Sequence, residues 1–65
     1  MAVPTHQEMM SLLERLRSAQ RELIFSAARA TAAPSDNTVR KVADLETMIL
    51  AIEHTIEELK ARPLQ

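Results

Sequence analysis

His6 and His54 are the only side chains in the sequence suited to acid–base work or metal binding near neutral pH, because cysteine is absent. On a helix, Glu57 and Glu58 would lie one turn beyond His54, a spacing at which an imidazole and a carboxylate can meet one ion. Two ligands do not close a site, and the helical pattern turns His54 away from the packed side, so a solvated histidine is expected. His6 precedes Met9 and Met10, whose thioethers suit soft copper. Methionine in a small helical core more often fills gaps. Ser11, Ser18, Ser26 and Ser35 have no neighbouring histidine to serve as base, and a two-helix chain offers no pocket to dry a substrate. Glu53, Glu57 and Glu58 read as a solvated face, with Lys60 and Arg62 placed to favour the negative end of a helix. No catalytic, metal-binding or cofactor-binding residue is expected, and the chain is not expected to be an enzyme.

Composition narrows the function further. In 65 residues there is no Gly, Trp or Tyr and a single Phe. Gly-rich phosphate loops and most aromatic stacking on bases are thereby removed. Eight Lys and Arg against nine Asp and Glu leave a net charge of −1, far from the basic excess typical of a nucleic-acid binder. Arg15, Arg17, Arg21 and Arg29 give helix 1 its basic character, and a Rop-like self-associating hairpin could use such a row on paired RNA loops. Glu14 and Glu22 interleave with them, which favours a solvated face. Residues 1–6 hold neither a basic nor an apolar leader region, and no run approaches the roughly 18 apolar residues of a membrane span. The expectation is a soluble, cytoplasmic protein.

The elements that carry these side chains follow from spacing. Thr5 and Glu8 form a capping box, so helix 1 should begin near Thr5 and run to about Ala32, with no Pro or Gly inside it. Met9, Leu12, Leu13, Leu16, Ala19, Leu23, Ala27 and Ala30 share one side, with Met10 and Ile24 at its edge. Glu8, Glu14, Arg15, Arg21, Glu22 and Arg29 take the other side. The apolar arc is about half the circumference, wider than one partner helix covers. Pro34 breaks the chain in a turn over about residues 33–35, and Ser35 or Asp36 can cap helix 2, expected from about Asp36 to Ala61, before Pro63. Val42, Leu45, Ile49, Ile52, Ile56 and Leu59 step by alternate threes and fours, with β-branched residues at every first position, a coiled-coil-like packing seam.

Two helices of similar length joined by a short turn make an antiparallel two-helix hairpin of all-α class, one domain over residues 1–65. Small alanines near the turn, Ala27, Ala28, Ala30, Ala32 and Ala33, would allow close approach there. A single continuous helix is the rival, disfavoured by Pro34. A core below about 70 residues rarely supplies more than roughly 3–5 kcal/mol without staples or association, so completion by a dimer or a partner protein is expected. Phe25 projects among charges, and Leu50 with Val39 and Ala43 lies off the seam. The expected protein-binding residues are Met9, Met10, Leu13, Leu16, Ile24, Phe25 and Leu50. Leu13 and Ile24 are placed toward the edge of the face, away from the intramolecular seam.

Residues 43–52, Ala43-Asp44-Leu45-Glu46-Thr47-Met48-Ile49-Leu50-Ala51-Ile52, resemble the second helix of the small helical-hairpin co-chaperones of type III secretion needle subunits, the YscE/PscE type. There a Leu-Glu pair is likewise followed by small and Ile-rich positions. The resemblance implies a cytoplasmic adaptor that pairs with a larger tetratricopeptide-like chaperone, the two together keeping a needle subunit unpolymerised. Helix 1, with its broad Met-Leu face, departs from that family's Ala-richer pattern.

Overall fold

The computed structural model describes residues 2–61, which form two helices and their connection. Helix α1 spans His6–Arg29 and helix α2 spans Asp36–Ala61. They pack against each other as an antiparallel hairpin measuring 55 × 20 × 17 Å, so the continuous-helix rival is excluded. Each helix starts where its side chains can satisfy free amides. At α1 the Thr5 hydroxyl accepts from the Glu8 amide at 3.0 Å while the Glu8 carboxylate accepts from the Thr5 amide at 2.8 Å, completing the box. At α2 the cap is Ser35, whose hydroxyl accepts from the Thr38 amide at 3.2 Å, with Asp36 favouring the positive end of the helix from its first turn.

The end of α1 differs from expectation. It stops at Arg29, three residues short of Ala32, and Ala30 is already extended at φ −79°, ψ 148°. The connection therefore runs over residues 30–35 rather than 33–35. Pro34 keeps Ala33 out of the helical region, and no glycine is present to reverse the chain in the left-handed conformation. The chain instead leaves α1 through extended backbone at Ala30 and bends at Thr31 and Ala32 on its way to α2. Of the alanines expected to line a close approach, only Ala27 is partly buried, because Ala30, Ala32 and Ala33 lie in this exposed connection and Ala28 faces outward. Arg62 and Pro63 lie outside the described residues.

The core sits between the helices, toward the end away from the connection. Leu13, Ile49, Ile52 and Ile56 are buried, and Met9, Leu12 and Leu16 pack against them. Val42, Leu45 and Leu59 complete the α2 seam half-buried. No charged or polar residue is buried among those described. Gln20 reaches across the seam, its amide nitrogen donating to the Val42 carbonyl at 3.3 Å and to the Glu46 carboxylate at 2.9 Å.

Candidate protein-binding faces

A hairpin has two broad sides, and polar pairs mark one of them. Arg17 forms an ion pair with Glu53 across the helices, and Gln20 reaches Glu46 on the same side. Toward the connection from these pairs, Leu23, Ile24, Ala27, Pro34, Val39 and Val42 line a shallow apolar groove. Ile24 and Val39 remain about half exposed there. Phe25 beside them is 50% exposed and Leu50, further along α2, is 52% exposed. Beyond the ion pair, Met10 borders a second hollow with Leu13, Arg17, Glu53, Ile56, Glu57 and Lys60.

The expected protein-binding residues thus separate into two groups. Met10, Ile24, Phe25 and Leu50 are exposed. Met9 and Leu16 are half-buried against the core. Leu13 is a correction: at 3% exposure it lies inside the intramolecular core rather than at the edge of the face. At 100° per residue, the part of the α1 arc that meets α2 is centred between Leu13 and Leu16, which puts Leu13 on the seam and Ile24 nearer the rim.

The opposite side carries residues that periodicity also contained. Leu23, Lys41, Asp44, Leu45 and Met48 line another open groove, and Met48 is 48% exposed. The signal was a second alternation of threes and fours, 45, 48, 52, 55 and 59, that shares three positions with the first seam and is hidden by it. Thr55 suits an apolar stripe because its hydroxyl donates to the Ala51 carbonyl at 2.9 Å.

The titratable residues do not converge. His6 lines a groove with Val3, Pro4, Met9, Ile56, Leu59 and Lys60, apart from Met10 on the far side of the helix seam. His54 is exposed, and among the described residues no three His, Cys, Asp or Glu side chains stand close enough to hold a metal ion. Glu57 lies 3.9 Å from Lys60, an exposed pair one turn apart. The α1 arginines do not form one row: Arg17 turns toward α2, whereas Arg15 donates to the Ser11 carbonyl at 3.4 Å. No described helix is long and apolar enough to cross a membrane.

Fold and surface define an all-α helical hairpin with apolar side chains on both sides of its seam. Compared with protein-family models, curated proteins and solved structures, the chain gives no match.

Proposed function

We propose that the chain is a non-enzymatic protein-interaction module that covers apolar helical surface on a larger protein. The observation that carries this reading is the groove beside the connection. Ile24 and Val39 stand half exposed around it, with Phe25 adjacent, while four side chains are buried among the described residues. An amphipathic partner helix could seat one or two aliphatic side chains there while the Gln20, Glu46, Arg17 and Glu53 groups form a polar boundary. In its most specific form the module is a type III secretion co-chaperone. It would pair with a tetratricopeptide-like chaperone so that the two keep a needle subunit unpolymerised. The residues supporting that form are Ala43 to Ile52.

Co-expression with a tetratricopeptide-like chaperone and a needle subunit from the same genome tests it. The expected result is a soluble complex on gel filtration, with affinity lowered about tenfold or more by Ile24→Ser with Val39→Ser at unchanged helicity. Failure to co-elute, or an affinity indifferent to both changes, would reject the reading.

A further inference from the structure

The groove beside the connection is bordered, at its end toward the core, by two charges that the hairpin leaves uncompensated. Arg21 precedes Ile24 by three residues on α1, and Glu46 follows Val42 by four on α2, so each is a helical neighbour of the apolar lining. The two stand at one level, because Gln20, next to Arg21, donates to the Oε1 oxygen of Glu46 at 2.9 Å. Gln20 also keeps them apart. Both side chains belong to exposed residues, and among the described residues neither forms an ion pair.

The neighbouring charges do not cancel this pair. Arg17 is taken up by Glu53, and Lys60 lies 3.9 Å from Glu57, both pairs beyond the groove toward the open end. Glu14 lies two turns, about 10 Å, from Arg21 in that same direction. Asp36 and Arg40, one of each sign, turn to the outer surface of α2 at 100° per residue. The groove lining itself holds no charged side chain. The field across the groove is therefore polarised, positive along α1 and negative along α2, rather than of one sign. On α2 the acidic edge is also an apolar one, since Val39, Ala43, Glu46 and Leu50 recur by fours and threes and all are exposed.

A helix seated in the groove meets α1 with one flank and α2 with the other, as the residues beside a coiled-coil seam do. A carboxylate on the first flank answers Arg21, and an ammonium or guanidinium on the second answers Glu46. Equal charges on both flanks set like against like along one wall. We propose that the groove takes a helix of another protein whose apolar seam is bordered by acidic side chains on one flank and basic ones on the other, with Arg21 and Glu46 as the selecting residues. The proposal rests on the partner-helix reading of the groove and specifies the chemistry of that helix.

Three synthetic helical peptides sharing one Leu seam test it, with flanks of Glu and Lys, of Lys alone, or of Glu alone. Each is titrated to millimolar concentration into the full chain labelled with nitrogen-15. The mixed peptide should bind about tenfold tighter than either other, with amide shifts centred on Ile24, Val39 and Glu46. Arg21→Glu makes both walls acidic, so the all-Lys peptide should become the tightest. Glu46→Lys makes both walls basic, and the all-Glu peptide should then lead. Among the described residues Arg21 makes no hydrogen bond or ion pair to α2, so Arg21→Glu keeps the hairpin folded even where Glu46→Lys, which removes the Gln20 contact, loosens it. No binding by any peptide overturns the proposal, as do shifts centred elsewhere or an order that Arg21→Glu leaves unchanged. A chain that dimerises through the groove and excludes all three peptides overturns it as well. Equal affinities of the three peptides at the groove, lost in Ile24→Ser with Val39→Ser, would reject the charge selection while leaving the proposed function standing.

Discussion

Leu13 shows what a side chain's neighbours decide and its own type does not. Its burial is the deepest among the described residues, so Leu13→Ala should cost about 2–4 kcal/mol through lost contacts and an unfilled cavity. With four side chains buried among the described residues, that loss should leave a largely unfolded population by circular dichroism at room temperature. Ile49→Asp should do the same by burying an unpaired carboxylate, and full helicity with an unchanged thermal midpoint would contradict the seam. Phe25→Ser should change stability by only about 0.5 kcal/mol, since its ring is half in water. The Arg17–Glu53 pair, also well exposed on both partners, should contribute less than about 1 kcal/mol in a double-mutant cycle. Leu13 could not be assigned from sequence because Met9, Leu12, Leu13 and Leu16 share one arc. Which sector of that arc meets α2 is a property of the pairing.

The helices themselves were legible wherever a local signal exists. Thr5 and Glu8 set the start of α1, Ser35 sets that of α2, and the alternation from Val42 to Leu59 identifies the face α2 turns inward. Thr5→Ala should therefore lower stability by about 1 kcal/mol, read as a fall in thermal midpoint. The end of α1 was not legible, because residues 27–33 are mostly alanine, the strongest helix former, and nothing in them says stop. What stops the helix is the need to return across the hairpin ahead of Pro34. The second stripe was concealed for another reason: Leu45, Ile52 and Leu59 belong to both alternations, so the more regular pattern absorbed them.

At the scale of the molecule, charge is spread rather than gathered, which bears on the Rop-like alternative. Neutralising Arg15, Arg17 and Arg21 should leave any protein complex held by apolar burial nearly intact and weakly salt-dependent. Co-purifying RNA that disappears in the triple variant would reverse the order of the two readings. Exchanging both His6 and His54 for Ala should leave folding and association unchanged, as expected for imidazoles outside any cluster. The polar contacts across the seam have a different consequence, which concerns sliding. Val42, Ile49 and Ile56 repeat every seven residues, so α2 could slip along α1 by one heptad, about 10 Å, and present nearly the same apolar surface. A six-residue connection can span at most about 20 Å when fully drawn out, so its length does not by itself forbid it. One direction of slip would bring Glu53 to Gln20, an adequate replacement for Glu46, but would set Lys60 against Arg17. The other would bring Glu46 to Arg17, an adequate replacement for Glu53, but would leave Gln20 facing Val39. Each polar contact tolerates one error and penalises the other, and only together do they single out the observed alignment. Replacing Gln20 with Leu should thus raise the thermal midpoint while broadening the distances between spin labels on the two helices, and Arg17→Gln should broaden them in the opposite sense.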